Sequence, residues 1–177
     1  MEKLAQHSKE KLIDLLSERL AFEREAVKLY DAILARLDGS VAGGVVEPFR
    51  EELQRFRDEE KEHERWLERQ IGDLGGDASV KSEMAMLVER ESTGILEVVT
   101  TDELLPHAIH ALLAAELVDN SGWELLVELA DDADDVVARE EFQRRLYQEA
   151  DHLLFARTAM LAFARRDVLG YERRLGG

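Results

Sequence analysis

Glu60 and Glu149 are each followed three residues later by a histidine, His63 and His152. Residues i and i+3 of a helix lie side by side on one face, so each pair can offer a carboxylate oxygen and an imidazole nitrogen to a single point. Hard oxygen donors combined with neutral imidazole suit divalent iron or manganese. One Glu-x-x-His in a chain that is 35% charged would be a surface pair. Two of them need a shared explanation, and Glu23 and Glu116 supply it. Glu60 follows Glu23 by 37 residues and Glu149 follows Glu116 by 33, so the order Glu, then Glu-x-x-His, occurs twice. A glutamate from each of two helices plus Glu-x-x-His from each of two others is the ligand set of two-metal bundles.

The elements that must position these six residues read as helices. In the first, Leu16, Leu20, Glu23, Val27, Tyr30 and Leu34 recur at spacings of three and four, which predicts a helix over about 8–37. Phe49, Leu53, Phe56, Glu60, His63, Leu67 and Ile71 predict a second over 48–71, opening at Pro48. Thr100 and Glu103 have the spacing of a capping box, which predicts a third helix over 101–130, with Leu105, Ile109, Leu112, Glu116, Trp123 and Val127 as its stripe. The acidic run 131–135 reads as a solvated turn and helix start, and Phe142, Leu146, Glu149, His152, Ala156, Met160 and Phe163 mark the fourth helix, over 136–166. The segment 72–100, with some helix of its own, is long enough to travel the ~35 Å of a bundle helix at ~1.5 Å per residue, so the second and third helices run parallel. The expectation is an all-α four-helix bundle, a single domain over 1–177 with a long crossover between helices two and three.

Each of the four apolar stripes is interrupted near its middle by a glutamate. Four carboxylates inside a core cost roughly several kcal/mol apiece unless protonated, paired with bases or bridged by cations, and two divalent metals cancel four such charges. Tyr30 lies seven residues after Glu23 and Trp123 seven after Glu116, on the same faces. Both read as core packing ahead of redox or hydrogen-bonding roles, and Tyr30 is the candidate for a catalytic side chain. Asp119, Asn120 and Asp151 are candidates to orient the histidines from outside. Glu18 and Glu25, off the leucine stripe, are assigned to water. His107 and His110 lack a partner glutamate and read as ordinary surface or core residues. Met84, Met86 and Met160 read as packing residues.

At 177 residues the chain can bury a continuous core without staples, and it has no cysteine to form any. A formal charge of −16 argues against nucleic acid, with Arg165, Arg166, Arg173 and Arg174 interleaved with Asp167 and Glu172 as a solvated end. No apolar stretch reaches the length of a membrane span, and a cytoplasmic, soluble protein is the default expectation.

The segments 18–24, 60–63, 114–120 and 149–152 resemble those of ferritin-like di-iron carboxylate proteins such as bacterioferritin, rubrerythrin and manganese catalase, and more closely those of bacterial ferritin-like-domain proteins. The resemblance implies that Glu60 and Glu149 bridge two metals, that Glu23 and Glu116 are terminal ligands, and that each histidine completes one metal. It implies two iron ions, with manganese as the alternative and zinc as a substitute acquired in purification. The expected chemistry is ferroxidase- or peroxidase-like reaction with dioxygen or hydrogen peroxide, drawing electrons from an external donor. Manganese-dependent peroxide disproportionation uses the same ligands. A bundle without turnover, acting as a structural or interaction protein, is the reading from another class. A homodimer is the expected assembly.

Overall fold

In the computed structural model, which describes residues 1–38, 47–102 and 104–170, the chain folds into five helices. They are α1 (Glu2–Asp38), α2 (Glu47–Asp73), α3 (Glu83–Thr101), α4 (Leu105–Asp132) and α5 (Val136–Leu169). Helices α1, α2, α4 and α5 form the bundle, and α3 belongs to the crossover. Two apolar clusters fix the directions. At one end Leu12, Leu16 and Leu20 of α1 meet Leu67 and Ile71 of α2, Leu126 and Ala130 of α4, and Ala138 and Phe142 of α5. At the other, Ile33 and Leu37 meet Phe49, Leu53 and Phe56, Ala108, Ile109, Ala111 and Leu112, and Ala156 and Ala159. Hence α1 is antiparallel to α2, α4 is antiparallel to α5, and α2 and α4 run parallel, as the length of the crossover predicts.

The bundle departs from the sequence reading at its ends. Helix α1 begins at Glu2 instead of near Ser8, with a kink where Ser8 has φ −162° and ψ 95°. The turn before the kink is held by Asp135, whose carboxylate accepts from the backbone N–H of Lys3 at 2.9 Å, Leu4 at 3.2 Å and Ala138 at 3.1 Å. Asp135 is therefore a buried cap serving two helix starts, not part of a solvated turn. The expected capping box is also displaced. Thr100 and Thr101 close α3, both bonding back to carbonyls of their own helix, and Glu103 lies outside the described residues. Helix α4 opens at Leu105 without a side-chain cap and with Pro106 in its first turn.

The crossover is more helical than its glycine and threonines imply. Ser82 caps α3, its hydroxyl accepting from Ala85 N–H at 3.1 Å and donating to the Asp14 carbonyl of α1 at 3.2 Å. Ala85, Val88, Ser92 and Val99 form the buried face, small enough to let α3 lie close against α1 and α4. Met84 and Met86, read from sequence as packing residues, are instead exposed, while Met160 packs against the core. At the start of the crossover, Gly75 takes φ +80°, which favours glycine. The linker glycines Gly39, Gly43 and Gly44, and Arg173 and Arg174, lie outside the described residues. No described helix is long and apolar enough to cross a membrane.

Candidate metal centre

Between the two apolar clusters lies a polar layer. Glu23 comes from α1, Glu60 and His63 from α2, Glu116 from α4, and Glu149 and His152 from α5, and none of the six is more than 2% exposed. The structure brings all six sequence-predicted residues together. His63 Nδ1 lies 2.9 Å from Glu149 Oε1, 3.4 Å from Glu23 Oε2 and 3.8 Å from Glu60 Oε2. His152 Nδ1 lies 3.2 Å from Glu60 Oε1, 3.2 Å from Glu149 Oε2 and 3.7 Å from Glu116 Oε2. Two overlapping quartets result: Glu23, Glu60, His63 and Glu149; and Glu60, Glu116, Glu149 and His152. Within each, one ligand atom per residue lies within 4.8 Å of the others. Glu60 and Glu149 belong to both.

Hydrogen bonding leaves specific atoms over. Tyr30 donates to Glu116 Oε1 at 2.6 Å, and Trp123 Nε1 donates to Glu23 Oε1 at 2.9 Å. The aromatic residue two turns after each of these glutamates thus serves the glutamate of the other hairpin. In both cases Oε2 is left facing inward. Glu23 Oε2, Glu60 Oε2, His63 Nδ1, Glu116 Oε2 and both oxygens of Glu149 are buried without a hydrogen-bond partner. Buried polar atoms are rarely left so, and six in one cluster are what a cation-binding site leaves when its donors are aimed at a common centre. The donor set, four carboxylates and two imidazoles, fits two divalent ions and leaves no net charge.

The outer imidazole nitrogens are held by residues the sequence reading passed over. His152 Nε2 contacts Glu59 Oε2 at 2.8 Å, and His63 Nε2 contacts Gln148 Oε1 at 3.0 Å. Each partner immediately precedes the Glu-x-x-His of the opposite hairpin, so α2 orients the histidine of α5 and α5 that of α2. An acceptor on one ring nitrogen fixes the proton there and turns the other toward the centre. The internal repeat carried a signal for these two, since both stand one residue before a Glu-x-x-His, but helical spacing alone places them off the buried stripe.

Neither Asp119 nor Asp151 takes that role. Asp119 is buried and pairs with Arg19, which also donates to the Asp119 carbonyl at 3.0 Å, while Asp151 is exposed. Glu18 and Glu25 are only half-buried, and reach Arg19 at 3.5 Å and Lys28 at 2.6 Å rather than facing open water. His107 is exposed and meets Asp102 at 2.7 Å. Arg19 lies so close to the backbone of α4 that a Cβ at Gly122 would collide with its guanidinium. That close approach accounts for the glycine inside a helix.

Electrostatics show what protons must do when cations do not neutralise the layer. Burial, reinforced by Glu149 and Glu23, pushes the Glu60 carboxyl well above its ordinary range. Burial likewise lifts Glu116 to about 8 against the pull of His152, with Glu149 adding to the rise. Burial opposes charge on both histidines, but Glu149 and its neighbouring carboxylates outweigh it and hold each imidazole well above the ordinary 6.5. Glu149 lies between them, and their charge overcomes its burial to bring it down to about 2. A group whose pKa is raised by folding adds stability that is complete below its unfolded value and lost as pH climbs through its folded one. Glu60, Glu116, His63 and His152 all carry that sign, and the opposite contribution of Glu149 is confined to pH below about 4.5. Chelated protein is therefore expected to melt at progressively lower temperature as pH rises from about 5 to about 9, and added Mn²⁺ is expected to raise the melting temperature more at the alkaline end. Calorimetry across that range checks both, and a metal effect largest at acid pH would contradict them.

No protein-family model matches this sequence, and no curated protein does. Among solved structures, the crystal structure of ferritin-like, diiron-carboxylate proteins from Bacillus anthracis str. Ames superposes with a TM-score of 0.67 at 18% identity, covering 87% of this chain and 98% of that one. With four bundle helices, a helical crossover and a buried carboxylate–histidine layer between two apolar clusters, the chain has the ferritin-like fold.

Proposed function

We propose that this chain is a two-metal carboxylate protein that binds two Fe²⁺ and couples their oxidation to consumption of dioxygen or hydrogen peroxide. The six orphaned donor atoms of the central layer support the reading most strongly. Glu60 and Glu149, which belong to both donor quartets, would serve both ions, Glu23 and His63 one of them, and Glu116 and His152 the other. When bound, the iron pair supplies the electrons that reduce the oxidant. The chain holds the donors in register and excludes bulk water with the apolar clusters on either side. Tyr30 enters as a positioning residue: burial and the charges of Glu116 and Glu60 push its phenol well above the usual range, so it keeps its proton and fixes the Glu116 carboxylate. Electrons for repeated turnover come from a separate donor.

Anaerobic addition of Fe²⁺ followed by oxidant is expected to develop ferric absorbance at two irons per chain, with stoichiometric loss of oxidant. Two bound irons and no spectral change would reject turnover and leave a metal-binding bundle. The same ligands hold Mn²⁺, and peroxide disproportionation by manganese-loaded protein, without net oxidation, would identify that variant of the chemistry.

We also infer a homodimer through α5. Tyr147, Leu154, Leu161 and Val168 recur every seven residues and are all exposed, a seam suited to a second copy of the same helix. In an antiparallel pairing centred near Arg157 and Thr158, Asp151 of one copy stands close to Arg165 of the other. Leu154→Glu with Leu161→Glu is expected to convert a dimer to a monomer by sedimentation equilibrium without changing metal content. A wild-type monomer would end this inference.

A further inference from the structure

On a chain of net charge −16, arginines gather in one place. An open cavity of about 460 Å³ between α2 and α5 is lined by Arg65, Arg69, Arg144 and Arg145, with Glu62 the one carboxylate among its lining residues. His63 and Gln148 also line it, so the cavity adjoins the His63 side of the metal centre from outside. Arg65 and Arg69 are exposed and have no hydrogen-bond or ion-pair partner among the described residues. Arg144 and Arg145 share the single carboxylate of Glu141, while Arg65 and Arg69 have no counter-ion among the described residues, so the four together carry an excess of positive charge that is stabilised when an anion enters.

Arg145 supplies a second, independent observation. It is only 5% exposed, its guanidinium carbon sits 3.5 Å over the Trp66 ring, and Nη1 donates to the Glu141 carbonyl at 2.6 Å and carboxylate at 3.1 Å. Its Nε is buried with no partner. A buried guanidinium with an unused donor, lining a cavity with two unpaired arginines, is the chemistry that receives a tetrahedral oxyanion. Gln148 extends it: its Oε1 is taken by His63 Nε2, which leaves the amide N–H₂ as a donor.

We propose that this cavity binds a phosphate-type dianion, free or as the terminal group of a phosphomonoester, between Arg65, Arg69 and Arg145. Bound there, the anion reaches the centre through Gln148 and His63 without displacing a donor of either quartet. The site is made of arginines, so it does not depend on the two-metal reading.

Titration calorimetry at constant ionic strength, on chelated and on metal-loaded protein, tests it with inorganic phosphate and with methyl phosphate. Saturable one-to-one binding of phosphate is expected, weakened at least about tenfold by Arg65→Gln with Arg69→Gln, both exposed positions whose replacement leaves the fold and the metal stoichiometry intact. Arg145→Lys, which keeps the charge but removes the fork of donors, is expected to weaken binding to a similar degree. Methyl phosphate binding as well as phosphate identifies an ester terminus as the ligand, and binding of phosphate alone identifies the free ion. Absence of saturable binding, equal binding by the double variant, or displacement by chloride at matched ionic strength would overturn the proposal. Failure here with two metals still bound would leave the metal centre untouched.

Discussion

Replacing Glu60 and Glu149 together by glutamine is expected to take metal binding from two ions per chain to none while leaving the helices in place. These two residues alone belong to both donor quartets, and three of the six orphaned donor atoms are theirs. Glutamine keeps the volume of each side chain, so the layer stays filled, but it withdraws two of the four negative charges and offers each ion a weak carbonyl oxygen in their place. Glu60 is already held in its neutral form by burial when protons balance the layer, which makes the amide a close mimic there. Glu23→Gln alone reaches only one quartet and is expected to leave one ion bound. Metal analysis after equilibrium dialysis, with circular dichroism as the check on folding, distinguishes these outcomes. Two ions retained by the double variant would show that the metal binds elsewhere.

The second large effect is on stability. Arg19→Ala is expected to cost about 3–5 kcal/mol, because it strands Asp119 as a buried carboxylate without its counter-ion. Against a total of roughly 5–15 kcal/mol for a domain, that is severe. Arg19 and Asp119 are each 1% exposed, and burial of Asp119 near Glu149 and Glu23 drives its carboxyl well upward, with Arg19 opposing that rise. The guanidinium also packs over Phe22 at 4.7 Å and fills the space that Gly122 leaves open. Replacing both members, Arg19→Met with Asp119→Leu, removes the unpaired charge and is expected to recover most of the loss. Urea denaturation of wild type and both variants measures it. A single variant within about 1 kcal/mol of wild type would mean that the pair contributes as little as an exposed one.

The central layer was legible because its chemistry breaks a pattern. A glutamate on a leucine stripe is anomalous in one helix, and the repetition of Glu, then Glu-x-x-His turned four anomalies into one geometric statement. Helix directions followed from chain length between the hairpins. What stayed hidden depends on contacts between elements far apart in sequence. Glu59 and Gln148 sit off the stripes of their own helices and become functional only because α2 and α5 face each other. Asp135 looks like one more residue of an acidic run, and nothing local marks it as the cap that also holds the first turn of α1. Tyr30 and Trp123 were recognised as a matched pair by their spacing, but that each serves the other hairpin's glutamate follows from the crossing of α1 and α4, which periodicity does not encode. In α3, Thr93 and Gly94 weaken the helical signal, and packing of the small face of Ala85, Val88 and Ser92 against its neighbours overrides it.

Crystals grown with Fe²⁺ under anaerobic conditions, measured on both sides of the iron absorption edge, test the metal assignment most directly. Two anomalous peaks are predicted per chain inside the bundle, one beside Glu23 and His63, the other beside Glu116 and His152, with Glu60 and Glu149 touching both. Iron confined to surface carboxylates, or an iron-free interior in crystals that hold iron elsewhere, would contradict it.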